Sequence, residues 1–121
     1  MEELPPQVQH QLTQFQQTQQ RAQALATQRR QLEINLRETE RALKELENLG
    51  EDATLYKSVG RIMAETNSSN AKEELEDRKE TLDLRVKTVE RQQERINKKM
   101  EEMRAKIQDA LRGQETPSEA A

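Results

Sequence analysis

Apolar residues recur at heptad spacing along the first long stretch of the chain. Between residues 7 and 49 there is neither Pro nor Gly. In a coiled coil, two positions of each heptad face the partner helix, and we call them the seam positions. One of them takes Val8, Phe15, Ala22, Arg29, Leu36 and Leu43. The other seam position takes Gln11, Thr18, Leu25, Leu32, Thr39 and Leu46. This narrow stripe is typical of a coiled coil and predicts a helix over 6–49, which Pro6 can open and Gly50 can end.

A second heptad stretch runs from residue 71 to about residue 111. One seam position is apolar throughout and takes Leu75, Leu82, Val89, Ile96, Met103 and Ala110. The other takes Lys72, Lys79, Val86, Gln93, Met100 and Ile107. Asn70 and Glu73 have the spacing of a capping pair, and Gly113 and Pro117 are helix breakers. The pattern therefore predicts a helix over 70–112 and a flexible tail over 113–121.

The segment between the two helices is rich in β-branched and apolar residues. Residues 54–59 and 62–66 have strand composition, and Gly60-Arg61 between them suits a type II′ turn. We therefore expect a β-hairpin over 53–66, with Val59 facing Ile62 and Leu55 facing Thr66. An irregular loop is the alternative, although helix–helix connections usually need only about 2–8 residues.

A two-stranded hairpin is only marginally stable alone in water, and both of its edges carry unpaired backbone groups. We therefore expect this hairpin to pair with strands of other chains. The residues predicted to take part in assembly are Leu55, Tyr56, Val59, Gly60, Ile62 and Met63.

The two predicted helices have similar lengths, which favours an antiparallel coiled coil formed within one chain over two separate parallel zippers. Paired residue numbers would then sum to about 121, so that Leu25 lies near Ile96 and Phe15 near Ile107. The predicted fold class is mainly α: a long antiparallel two-helix coiled coil with one β-hairpin between the helices.

Apolar residues also gather at the helix ends that this fold places far from the hairpin. Leu12 and Leu111 lie one position outside the seam, and Val8 and Ile107 would be partly uncovered at a frayed end. Exposed apolar patches mark contact sites. The candidate residues are Val8, Leu12, Phe15, Met103, Ile107 and Leu111. For Phe15, Met103 and Ile107 the alternative is that they only close the coiled coil, and no role is assigned to Ile34 and Leu84.

Composition argues against several other classes. Hydrophobic residues make up 31% of the chain and charged residues 36%, too few apolar groups for a broad globular core. There is no Cys, a single His (His10), no Gly-rich phosphate loop and no metal-ligand cluster, so we expect neither an enzyme nor a cofactor nor a metal.

Nucleic acid and membrane are not expected as partners. Acidic residues interrupt the basic stretch 98–106, and stacking aromatics are missing there. No apolar run approaches the roughly 20 residues of a membrane span, and MEELPPQ lacks a signal pattern. We therefore expect a cytoplasmic location.

Two long heptad helices flanking YKSVGRIMAE, residues 56–65, resemble the prefoldin family in its archaeal β-type form. The resemblance covers nearly the whole chain as a single domain over 1–121. The single hairpin, with Val59-Gly60-Arg61-Ile62 at its turn, is its most specific part, because α-type subunits have two.

The resemblance implies a hetero-hexamer of two α and four β subunits whose hairpins join into β-barrels. It also implies an ATP-independent holdase that binds non-native polypeptides at the apolar ends of its coiled coils and delivers them to a group II chaperonin. A structural coiled-coil scaffold or tether remains the alternative, but it gives no reason for the strand-like insert.

Overall fold

Two long helices with a β-hairpin between them make up the computed structural model, which describes residues 4–120 and their side chains over 4–113. Along the chain the elements are α1 (Pro6–Asn48), β1 (Leu55–Val59), β2 (Ile62–Thr66) and α2 (Ser68–Ala120). This mainly helical architecture confirms the predicted fold class. Residues 1–3, which precede the first predicted helix, and residue 121 of the predicted tail lie outside the described residues.

The chain divides into two compact units. Unit 1 combines Met1–Gln28 with Val89–Ala121, and unit 2 is Arg29–Thr88. Each unit brings a segment of α1 together with a segment of α2, and the pairing of early with late residues makes these segments antiparallel. In unit 1, Leu25 and Ile96 line one groove, as the predicted register requires.

The side chains at the predicted seam positions are the ones removed from solvent. All twelve seam positions of α1 are buried or half-buried, and of the twelve in α2 only Lys72 is exposed. The apolar side chains buried most deeply are Val8, Leu82, Val86, Val89 and Ile107. A single narrow stripe on each helix therefore supplies the hydrophobic stabilisation of both units.

Polar residues on the α1 seam are tolerated because most of them satisfy their own polar atoms. The buried hydroxyls of Thr18 and Thr39 donate to the Gln14 and Asn35 carbonyls, one turn earlier, both at 2.8 Å. Because each hydroxyl is hydrogen-bonded within the helix, each threonine packs its methyl group into the seam.

The other two polar residues of the α1 seam, Arg29 and Gln11, differ in whether their polar atoms are hydrogen-bonded. Arg29 extends to the edge of the helix, where its Nε donates to Glu33 Oε1 at 2.9 Å and the side chain stays 39% exposed. Gln11 Oε1 is buried without a hydrogen-bond partner among the described residues. Such an acceptor loses its bonds to water and lowers stability.

The start of α2 differs from the prediction. The helix begins at Ser68, and its cap is Asn67 rather than Asn70. Asn67 Oδ1 accepts a hydrogen bond from the Asn70 backbone N–H at 2.8 Å, and its carbonyl accepts one from the Ala71 N–H at 2.9 Å. Asn67 directly follows the last residue of β2, so the first polar side chain available after the strand takes the cap position.

The predicted end of α2 at residue 112 was wrong, since the helix continues to Ala120. Gly113 in a helix costs only about 1 kcal/mol relative to Ala and does not force an end. Pro117 lies in the last turns, where it removes a single hydrogen bond to the carbonyl of residue 113. Residues 113–120 are therefore helical, not a separate tail.

The end of α1 also differs in detail. The helix ends at Asn48, and Gly50 has no positive φ, so a left-handed glycine does not cap it. The Gly50 carbonyl instead accepts a hydrogen bond from the Ala53 N–H at 3.0 Å in the turn that leads to β1.

Replacement of Gln11 by Leu should stabilise the chain. The change removes a buried unpaired acceptor and adds an apolar side chain to the seam, so the free energy of unfolding should rise by about 1–2 kcal/mol. Urea unfolding followed by circular dichroism measures it. Gln17→Leu, at an exposed position of the same helix, is the control, and equal effects of the two changes would contradict the assignment.

Candidate functional sites on the hairpin and near the helix ends

The hairpin has the predicted register and turn. β1 and β2 pair antiparallel with Leu55 opposite Thr66 and Val59 opposite Ile62. Gly60 has a φ of +60°, and no non-glycine residue in the described part of the chain has a positive φ, Arg61 included. A positive φ at the first central position alone fits type II′ and excludes type I′.

Exposure differs along the hairpin rather than between its two faces. Leu55, Ala64 and Thr66 are half-buried, and they share their face with Val59 and Ile62, because strand side chains alternate between faces. Four large apolar side chains elsewhere on the hairpin are open: Tyr56 is 61% exposed, Val59 49%, Ile62 69% and Met63 65%. We call these four residues the hairpin surface. The other two of the six predicted assembly residues are Leu55, which is half-buried, and Gly60, which forms the turn.

The hairpin is also open along its backbone. β1 and β2 form a two-stranded sheet within the described residues. Each strand therefore has one edge whose N–H and C=O groups have no strand partner in the part of the chain that the structure describes. Exposed apolar side chains together with free strand edges are the features through which sheets add strands from another chain.

An ion pair joins the hairpin to α2 within unit 2. Lys57 Nζ lies 2.8 Å from Glu74 Oε1, and the two side chains are 43% and 57% exposed. An exposed pair of this kind contributes at most about 1 kcal/mol. Its effect is therefore to orient the hairpin on α2 rather than to hold the unit together.

The six candidate residues near the helix ends all lie in unit 1, and we call them the terminal cluster: Val8, Leu12, Phe15, Met103, Ile107 and Leu111. Val8 is 3% and Ile107 8% exposed, so the expectation that they would be partly uncovered was wrong. Both occupy seam positions, and α2 continues well beyond Ile107. Both side chains are therefore covered seam residues, Val8 in the first turn of α1 and Ile107 within α2.

The rest of the terminal cluster is more open. Leu12, Phe15 and Met103 are half-buried, and Leu111 is exposed at 37%. The guanidinium carbon of Arg104 lies 5.8 Å from the centre of the Phe15 ring, within cation–π range. Leu12 is thus less accessible than its position outside the seam predicted.

Leu4 is an exposed apolar residue that the sequence analysis missed. It is 37% exposed, and its carbonyl accepts a hydrogen bond from the Gln9 side-chain amide at 2.8 Å. Its place before Pro5-Pro6 put it outside the predicted helix over 6–49. The signal that could have found it is its spacing of four residues from the seam residue Val8.

Over the range that the structure describes, no three His, Cys, Asp or Glu side chains are grouped so that they could hold a metal ion. Nor does any helix in that range have the length and apolarity needed to cross a membrane.

This architecture is similar to that of known proteins of one family. The family model described as "Prefoldin subunit" matches residues 9–114. The crystal structure of the prefoldin beta subunit from Thermococcus strain KS-1 superposes with a TM-score of 0.83 at 40% identity, covering 93% of this chain and 98% of that chain.

Curated relatives agree. Prefoldin subunit beta of Methanococcoides burtonii is 49% identical over 76 residues, which cover 63% of this chain and 65% of the relative. That of Archaeoglobus fulgidus is 45% identical over 78 residues, covering 64% and 67%. The chain thus spans just under two thirds of the length of the Methanococcoides relative. The resemblance to archaeal β-type subunits found in the sequence is confirmed.

The fold therefore belongs to the class of helical subunits that pair two antiparallel helical segments and carry one exposed β-hairpin. With the family model matching most of its residues, the chain belongs to the prefoldin subunit family.

Gly60→Ala should weaken the hairpin and its assembly. A side chain at a φ of +60° costs roughly 1–2 kcal/mol, and no atom lies within 4 Å of the added Cβ, so backbone conformation is the source of the cost. Gly50→Ala is a matched control, because Gly50 also has open space but no positive φ. Solution mass after mixing with an α-type subunit measures assembly; equal behaviour of the two variants would contradict the turn assignment.

Proposed function

We propose that this chain is a β-type subunit of a prefoldin hexamer with two α and four β subunits, acting as an ATP-independent holdase in the cytoplasm. The observation that carries the proposal is the hairpin surface. Four large apolar side chains there are about half to two thirds exposed, whereas the seam residues of both helices, except Lys72, are buried or half-buried. Family membership and likeness to archaeal beta subunits support it.

Assembly follows from the chemistry of the hairpin surface. Burying Tyr56, Val59, Ile62 and Met63 against other strands removes apolar area from water at about 25 cal/mol per Å². Backbone groups along the free edges gain partners in the same step. Hairpins of several subunits would close into β-barrels, which leave no free edge.

Binding of non-native polypeptides is assigned to the open part of unit 1. Leu111 and Leu4 are exposed there, and Leu12, Phe15 and Met103 are half-covered. Such a surface offers little apolar area: a 200 Å² contact contributes about 5 kcal/mol before the costs of association. Each contact is therefore weak, and several linked copies in a hexamer supply avidity.

Release follows from the same weakness. Contacts of this size break one at a time without nucleotide, so a bound polypeptide can pass to another chaperone. We assign the receiving role to a group II chaperonin, which the resemblance to prefoldin implies.

Met63→Glu should prevent assembly. A carboxylate on the hairpin surface would be desolvated when strands of a neighbour cover it, which burial of an unpaired charge makes strongly unfavourable. Light scattering after mixing with an α-type subunit should give a discrete hexamer for the unmodified chain and none for the variant.

Leu84→Glu is the control, since Leu84 is 60% exposed on α2 in the same unit as the hairpin. Hexamers of the Met63→Glu variant would contradict the interface. A small oligomer of the unmodified chain that the partner does not change would instead indicate a coiled-coil tether.

Leu111→Ser combined with Leu4→Ser should lower the suppression of client aggregation while the hexamer persists. Each change removes an exposed apolar side chain of unit 1 without opening the seam. Leu84→Ser removes a more exposed leucine in unit 2 and serves as the control. Light scattering of a chemically unfolded client measures suppression, and equal suppression by both variants would refute the assignment of the binding surface.

A further inference from the structure

Unit 1 contains a groove with an apolar floor and a cationic rim. It is lined by Arg21, Leu25, Gln92, Arg95, Ile96 and Lys99. Leu25 and Ile96 are half-buried seam residues and form the floor, whereas the three cationic residues are exposed. Among the residues whose side chains the structure describes, no carboxylate lines this groove.

Like charges meet across the helices in this groove. Arg21 on α1 and Lys99 on α2 each directly precede a seam position, where coiled coils ordinarily carry opposite charges on facing helices. Neither residue, nor Arg95, forms an ion pair among the described residues. The coiled coil therefore gains no interhelical pairing from these three charges.

The cationic rim is a local feature. α1 has no acidic residue before Glu33. Over all of unit 1, residues 1–28 and 89–121, eight Lys and Arg stand against nine Asp and Glu, so the unit as a whole is not positive. Positive charge is concentrated at the groove itself, where Arg21, Arg95 and Lys99 line it, and the local field favours an anionic ligand.

A second groove extends the first along unit 1, since Lys99 lines both. It adds Met103 and Lys106, together with two glutamines of α1 and a single carboxylate, Glu102. Along α1 the two grooves run from Gln11 to Leu25, roughly 20 Å at 1.5 Å per residue. About six residues of an extended chain span that length.

We propose that these grooves bind an acidic segment of a non-native polypeptide. An aliphatic side chain of the segment lies on the floor, and its Asp or Glu carboxylates accept charge-assisted hydrogen bonds from Arg21, Arg95 and Lys99. The inference rests on the proposed holdase function and deepens it by naming a client class: segments in which apolar and acidic residues alternate.

A polypeptide fits the grooves better than a nucleic acid does. Proteins that bind single strands without sequence preference stack bases on aromatic side chains. The lining residues of both grooves include aliphatic side chains, Met and Gln but no aromatic ring.

Two labelled peptides of about twelve residues test the proposal, one alternating Leu with Glu and the other alternating Leu with Gln. Fluorescence anisotropy follows their titration with the hexamer assembled from the full chain and an α-type partner. We expect the Glu peptide to bind about tenfold more tightly at low salt, and this preference to weaken as salt screens the charges.

Arg21→Gln combined with Lys99→Gln should abolish most of the preference. Arg30→Gln combined with Lys87→Gln removes the same charges from exposed positions of unit 2 and should leave the preference intact. Equal binding of the two peptides, or equal behaviour of the two double variants, would overturn the inference. Displacement of the Glu peptide by a tighter-binding single-stranded oligonucleotide would overturn it in favour of a nucleic-acid site.

A second assay distinguishes the holdase function from the preference for acidic segments. It measures how well the hexamer suppresses the aggregation of a client that has few acidic residues. Protection of that client without discrimination between the peptides would refute the acidic-segment inference and leave the holdase function standing. Failure to protect any client would refute the proposed function, and the inference that rests on it.

Discussion

Burial of one narrow apolar stripe on each helix is the constraint on which the rest of the molecule depends. A stripe this narrow leaves no broad core, so both units rely on seam residues such as Val8, Val86 and Ile107. Most polar residues of the α1 seam are satisfied by their own helix, as Thr18 and Thr39 are, and Gln11 is the exception with an unpaired acceptor. The remaining surface is free to carry charge, and an exposed hairpin can be carried without disturbing the core.

The residue pattern alone predicted the elements that are determined by interactions between neighbouring residues. Heptad spacing identified both helices, and Gly60 with its flanking strands identified the hairpin, its register and its turn. These features depend on neighbours close in sequence or directly paired, where steric and hydrogen-bonding rules act with few alternatives.

Helix ends and side-chain exposure were harder to predict, because they depend on competition between weak effects. Asn67 and Asn70 are both good caps, and the end of the preceding strand decided between them. Gly113 is a poor helix former, yet its cost is too small to end a long helix. The accessibility of Leu12 depends on neighbours that a heptad position does not specify, and the charged rim around Leu25 and Ile96 appeared only once both helices were placed.

The openness of Tyr56 has an optical consequence. It is the single tyrosine of a chain without tryptophan, and 61% of it is already in contact with solvent. Unfolding of the isolated chain would therefore change the solvent contact of this ring little, whereas covering it with strands of another copy would withdraw it from water and from dissolved quenchers of its emission. In this chain, intrinsic fluorescence is a reporter of association, while circular dichroism reports the helices, so the two equilibria can be followed separately without an added dye.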